Sequence, residues 1–338
     1  MQSVKEIGLS SRSATNLSPF VIVVALFFMT CAAFVIGAFP LTLSIVTIFL
    51  FAGVHNFVEF RYFLARMPLR WGNSRTYYSI GIGGVFTLTI IYLSIYFASN
   101  NFLYGATNYM IFVGVWNTLF LLWLASLLWL RGRQKPRSDY SFAFPVALFV
   151  ASFAWFLPQY FALSLVYLHP FVALYFFERQ LRRTRPEYVK TFHVCLATLP
   201  VFLVILWLIL GNSPNIATGD FLSWRITQHA GGEILPFVSN KLLVATHVFL
   251  ETIHYTIWIL LMPLIDKKAV PFRLKNIPLF VHKQGFPRII TAVLLLGIVA
   301  IVALWFGFAI DYATTRDVYF ALAISHVLAE MPFLIKML

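Results

Sequence analysis

Charge is what this 338-residue chain has least of: only 11% of its residues are Asp, Glu, Lys or Arg. A typical soluble domain carries about 25%. With a mean hydropathy of +0.83, that deficit excludes a soluble enzyme and a disordered chain. Acidic residues are scarcer still, 12 against 25 basic ones. The resulting net charge of +13 does not indicate nucleic-acid binding, because basic residues beside membrane spans serve to orient them. Cysteine is nearly missing. Cys31 and Cys195 both sit in apolar stretches, so there is no disulfide framework and no CxxC site. Also absent are a Gly-x-Ser-x-Gly elbow, a P-loop and a GxGxxG fingerprint, internal repeats, and the broken-helix repeats of secondary transporters.

What is present is a series of long apolar runs. Ten runs of about 20 residues start near Pro19, Leu41, Tyr77, Thr107, Tyr140, Gln159, Thr191, Leu242, Ile289 and Asp317. The first follows a polar segment with Lys5 and Arg12. It is too long for a signal-peptide core and reads as a span. The fifth and sixth are separated only by Pro158 and also fit a broken hairpin or a re-entrant pair. In hydrocarbon every backbone N–H and C=O must be bonded within its own segment, so the runs are expected to be helices. The fold class is therefore all-α, a polytopic integral membrane bundle of about ten transmembrane helices.

The basic residues test this count. If the N-terminus is cytoplasmic and the spans alternate, 22 of the 25 Lys and Arg fall inside. Only Arg225, Lys241 and Arg316 fall outside. That split predicts both termini cytoplasmic. The organisation expected is a cytoplasmic segment over 1–18 and one bundle over 19–338, with an outer loop at 211–241 that either caps a cavity or merely connects. A bacterial inner (cell) membrane is the expected location, with membrane lipids as partners, no nucleic acid, and protein partners open.

Ionisable residues at membrane depth are costly and point to function. Here they concentrate in four runs. The second carries His55, Asn56 and Glu59; the sixth His169; the eighth His247, Glu251 and His254; the tenth His326 and Glu330. His55 and Glu59, His247 and Glu251, and His326 and Glu330 are each four apart, and His254 is three beyond Glu251. Such spacings share one helix face. All four runs cross in the same direction, which sets His169, His254 and His326 near mid-membrane. Imidazole and carboxylate suit iron, zinc or copper, and several His with open positions suit non-haem iron and O2. A carboxylate behind a ligand commonly fixes the tautomer. His55, His247, His254 and His326 are the candidate ligands, with His169 as alternate. Glu251 is the candidate ligand or catalytic base, and Asn56, beside His55, a candidate support. Iron is the expected metal; zinc, haem, a proton or ion path, and plain packing stay open. Glu59 and Glu330 are expected to pair with Arg61, Arg66 or Lys336 at the inner rim. His193, His229 and His282 read as bland.

These residues resemble a family. The segment Gly53-Val54-His55-Asn56-Phe57-Val58-Glu59 is similar to an early His-Gly-x-x-Asp segment of the Brp/Blh membrane β-carotene dioxygenases. Ala321 to Leu328 resembles their late His-containing helix, and His247 with His254 their paired middle histidines. Asn56 stands where the family has Gly, Glu59 where it has Asp, and Glu251 lies within the spaced pair. The resemblance implies a polytopic membrane protein that binds iron through histidines and cleaves the central double bond of a carotenoid with O2. The expected activity is thus an iron-dependent membrane oxygenase or oxidoreductase on an apolar isoprenoid, carotenoid or lipid. The competing expectation is a non-enzymatic transporter or accessory subunit.

Overall fold

The computed structural model describes residues 17–100, 106–135, 139–266, 270 and 273–338. Lys5, Arg12, Arg137, Lys267 and Lys268, and all but the last two positions of the expected 1–18 segment, lie outside them. Among the described residues every regular element is helical: α1 Leu17–Ala38, α2 Pro40–Leu64, α3 Arg75–Asn100, α4 Ala106–Gln134, α5 Ala143–Phe156, α6 Pro158–Thr184, α7 Val189–Leu210, α8 Phe221–His229, α9 Asn240–Thr256, α10 Met262–Ile265, α11 Pro278–Val281, α12 Pro287–Ile310 and α13 Tyr312–Met337. A π turn over Ile257–Leu261 joins α9 to α10. Pro263 lies just beyond it and has no N–H to return to an earlier carbonyl.

Nine of the helical stretches are long and apolar enough to cross a membrane. Their outer surface confirms the environment. Phe34, Phe156, Leu208, Phe306 and Ile310 are largely exposed, a surface that water does not tolerate on this scale. The protein is therefore an integral, multi-pass membrane protein. The fifth expected run differs from the other nine. Helix α5 has 14 residues, about 21 Å at 1.5 Å per residue, short of the ~30 Å hydrocarbon core. Leu157 breaks it with φ −134° and ψ 56°, and Pro158 starts α6 at once.

Neighbouring contacts fix how far α5 reaches. The Phe144 and Trp129 rings lie 6.5 Å apart. At the other end Trp155 Nε1 donates to Thr118 Oγ1 at 3.0 Å. The α5–α6 corner thus sits level with Gly114–Thr118 of α4, about 12 Å below the start of α4 at Ala106.

Side-chain bonds sort the helix ends onto two faces. On one, Arg61 donates to the Arg273 carbonyl at 2.7 Å and Arg66 to Gln180 at 2.9 Å and to Asp266. On that same face Lys336 donates to Ser74 at 2.8 Å and to Gln134. On the other, Tyr312 donates to the Ile45 carbonyl at 3.1 Å and Tyr160 to the Ile234 carbonyl at 3.2 Å. There Arg225 also meets Asp317 at 3.0 Å. Helices α2, α6, α9 and α13 all run from the second face to the first, the basic one. A reporter fused after Lys336 should read as cytoplasmic, and one inserted in the Gly211–Lys241 loop as external; the reverse pattern would overturn the orientation. The loop is more than a connector. It holds α8, capped by the Asp220 carboxylate accepting from Ser223 N at 2.8 Å, which holds that carboxyl below its usual range.

Candidate metal centre

Four histidines converge in the bundle, one from each co-directed helix: His55 on α2, His169 on α6, His254 on α9 and His326 on α13. The His55 ring centroid lies 5.3 Å from that of His254 and 5.3 Å from that of His326. His169 lies 4.6 Å from His254 and 4.9 Å from His326 by the same measure. One donor atom each from His55, Glu59, His254 and His326 fall within 4.8 Å of one another. His169 Nε2 and His326 Nε2 are 3.1 Å apart. Two nitrogens bound to one ion at about 2.1 Å would lie about 3.0–3.4 Å apart, depending on coordination number. The observed gap matches that spacing; it also suits a single N–H···N bond.

Local chain features aim these rings. Pro170 follows His169 directly and frees the Val166 carbonyl in α6. The π turn begins three residues after His254, and such turns concentrate at functional sites. One tautomer is set from behind. His55 Nδ1–H donates to the Phe51 carbonyl at 3.1 Å, leaving Nε2 as the lone-pair nitrogen, as outer partners of metal-bound imidazoles do. His169 Nδ1 lies 3.2 Å from Glu330 Oε2, close enough for an ion pair but without hydrogen-bond geometry.

The donor set passes a physical test for a cation. Both ring nitrogens of His254 are buried with no hydrogen-bond partner, as is Glu59 Oε2. A buried polar group left unpaired costs about 1–3 kcal/mol, and a metal ion would satisfy one His254 ring nitrogen together with Glu59 Oε2. A haem fits less well. It takes at most two axial ligands from opposite faces, whereas three imidazoles and a carboxylate gather here within 4.8 Å, with His169 beside His326.

Three residues depart from the sequence expectation. His247 lies outside the cluster, because seven residues separate it from His254. That spacing shares a face but is about 10 Å along the axis. His247 instead packs against His229, with centroids 5.0 Å apart, and its Nδ1 is 3.8 Å from Glu251. Glu251 is likewise outside the group and accepts from the Tyr255 hydroxyl at 2.7 Å. Tyr255 in turn lies 4.4 Å from His55, ring to ring. Asn56 turns away from the histidines and donates to the Tyr319 hydroxyl at 3.4 Å.

Glu59 and Glu330 correct the rim expectation. They are 1% and 0% exposed, and their carboxyl groups adjoin one another inside the bundle. Helix α2 runs on to Leu64 and α13 to Met337, so neither residue is at a helix end. Arg66 and Lys336 bind elsewhere, as described above. His193 remains a surface partner, 2.8 Å from Glu178. His229 is not bland. Its place in a loop hides a half-buried position beside Phe320, 4.2 Å away, where desolvation first and then the neighbouring His247 hold its pKa well below the usual value.

A cavity of about 500 Å³ leads to the cluster. His55, His169, His254 and His326 form its floor, and Arg225, His229 and Arg316 stand at its outer end. Beneath the floor lies a layer of rings: Tyr62, Phe63, Phe176 and Trp258 pack together, and Phe63 stacks on Phe333 at 4.4 Å. The cavity is therefore closed toward the basic face. Since Glu251 belongs to the upper group, Glu251→Gln is expected to leave metal content within about twofold of wild type, read by elemental mass spectrometry. A tenfold loss would return Glu251 to the ligand set or its direct support.

No protein-family model, no curated protein and no solved structure matches the chain.

Proposed function

We propose that the chain is a membrane-embedded, metal-dependent oxidoreductase, with non-haem iron held by His55, His169, His254 and His326 and with Glu59 as a fifth donor. The observation that carries this reading is the blind cavity that ends on four converging imidazoles. Iron bound there supplies one-electron chemistry toward O2, as His-rich sites with open positions do. The rest falls to the chain. His55 is held with Nε2 facing inward, Glu330 backs His169, and the apolar walls keep bulk water from the floor. At about 500 Å³ the cavity is in the range of small-molecule sites, and its setting favours an apolar isoprenoid, carotenoid or other lipid. The resemblance to the Brp/Blh dioxygenases, through His55 and His326, supports the same class. The 22-to-3 division of basic residues supports a cytoplasmic basic face.

Iron content decides first. Protein purified without added metal should carry close to one iron per chain, and anaerobic reduction followed by O2 should consume oxygen in the presence of a lipid substrate. Metal-free protein that sustains proton-coupled flux in vesicles would favour the second reading, a non-enzymatic transporter or accessory subunit. That reading draws on the succession His229, His247, Glu251, Tyr255 and His55 along one side of the cavity. The ring layer beneath the floor weighs against it, because it closes the path.

A further inference from the structure

The outer end of the cavity holds a charge pattern that an uncharged hydrocarbon does not use. Among the described residues only three Lys or Arg lie toward the outer face, and two of them, Arg225 and Arg316, line this one cavity. One carboxylate serves both. Asp317 is 3.0 Å from Arg225 and 3.9 Å from Arg316. Arg316 is only 3% exposed, and its Nε has no hydrogen-bond partner. The other acid of the cavity lining, Glu251, lies deeper and accepts the Tyr255 hydroxyl, but its charge still acts on Arg316. The formal charges therefore balance, while the two guanidiniums share the one carboxylate they meet and Arg316 Nε stays buried without a partner. Guanidinium donors left unfilled in this way can take an anion, and guanidinium forks bind carboxylate or phosphate with particular strength.

Among the described residues the wall beside this mouth is incomplete. Helix α5 stops about 12 Å below the outer end of α4, and the cavity reaches the gap. Tyr109 and Val113 of α4 and Gln159 and Ala162 of α6 line it there. Tyr109 is 42% exposed on the outer surface of the bundle. The gap faces the outer half of the bilayer. Arg316 and His326 stand ten residues apart on α13, about 15 Å along the axis. The cavity therefore has a guanidinium end at headgroup level, a side opening to lipid, and an imidazole floor at a set depth.

We propose that the cavity takes an anion-headed amphiphile, which enters sideways above the α5–α6 corner, seats its carboxylate or phosphate on Arg316 and Arg225, and lays its chain down to the histidines. The chain position about 15 Å from the head then lies against the His cluster. Calling this molecule a substrate rests on the oxidoreductase reading; its capture does not.

The test uses purified full-length protein in nanodiscs of dioleoylphosphatidylcholine. The probe is a long-chain fatty acid with a diazirine about 15 Å from its carboxylate when extended. After illumination, labels are expected on the cavity face of α13 between Ala323 and Val327, or on α6 at His169–Pro170. Arg316→Gln should lower that labelling about tenfold or more, the usual scale for losing a charge-assisted pair. Arg316→Lys should retain most of it. Asp317→Asn, which frees both guanidiniums, should raise it, so the proposal stays falsifiable even if Arg316→Gln fails to fold. Displacement of the label by palmitate assigns the head to a free carboxylic acid; displacement by phosphatidate assigns it to a lipid phosphate. Equal labelling by the matching diazirine alcohol overturns the proposal. So do labels confined to the lipid-facing Phe149, Phe153 and Phe156, or labelling indifferent to Arg316 and Asp317. Metal content is read separately. Capture without iron keeps the amphiphile site and removes the oxidoreductase, and iron without capture does the opposite.

Discussion

His254→Ala and His326→Ala should each cut bound iron from near one per chain to below about a tenth, with elemental mass spectrometry as the readout. Each residue supplies a donor within the 4.8 Å group, and each is the one donor that its helix contributes to that group. His254 is the sharper case. Neither of its ring nitrogens makes a well-formed hydrogen bond, and its nearest backbone contact is at Pro170, so removing it takes little from the hydrogen-bond network. The cavity left by His→Ala has a measurable cost in thermal stability, but imidazole added to the buffer should partly restore metal to His254→Ala by refilling the space. His193→Ala, at a surface site paired with Glu178, is the control and should keep full metal. Equal metal in His254→Ala and His193→Ala would end the single-centre reading.

Glu330→Gln should lower iron affinity by about 10–100-fold while leaving the fold in place. Glu330 does not join the donor group; it stands behind His169, 3.2 Å from Nδ1. Outer partners of this kind hold the ring in one tautomer and raise its basicity, and their loss commonly costs that much. The amide has nearly the same shape but carries no charge. An iron titration with a competing chelator gives the number. Glu330→Gln with unchanged affinity would mean that the carboxyl packs against Glu59 and nothing more. The contrast with Glu251→Gln matters, since the two acids look alike in sequence, each four residues past a histidine.

That contrast marks what spacing along this chain can and cannot convey. Long apolar runs dictate membrane helices because hydrocarbon offers the backbone no alternative partner, and nine of the ten expected runs form helices of spanning length. The direction of α2, α6, α9 and α13 is legible too, since an alternating series with short loops leaves little choice. Shared face is a property of spacing within one helix, so His55, His254 and His326 can be grouped from the sequence alone. Depth and azimuth are properties of the packed bundle. Spacing puts His247 and His254 on one face, and position along the run already sets His254 about 10 Å deeper, but only the packed bundle shows that this is enough to leave His247 out of the centre. Arg61 and Lys336 follow Glu59 and Glu330 closely, which suggests the rim, yet the helices run on and carry those basic residues past the two acids. His229 gives no signal at all, because a loop residue becomes half-buried only when α8 folds back over the bundle.

The short α5 also acts on the membrane. It leaves about 9 Å of a ~30 Å core uncovered along one side of the protein, with Phe149, Phe153 and Phe156 turned outward at its end. Lipids there must thin or tilt to meet the α5–α6 corner, at a fraction of a kcal/mol per Å of mismatch. Over ~9 Å this sums to roughly a few kcal/mol, borne by the bilayer rather than by the chain. The protein is thereby tuned to thin membranes: short-chain lipids relieve the mismatch, and thick, ordered bilayers squeeze it toward regions where acyl chains already pack loosely.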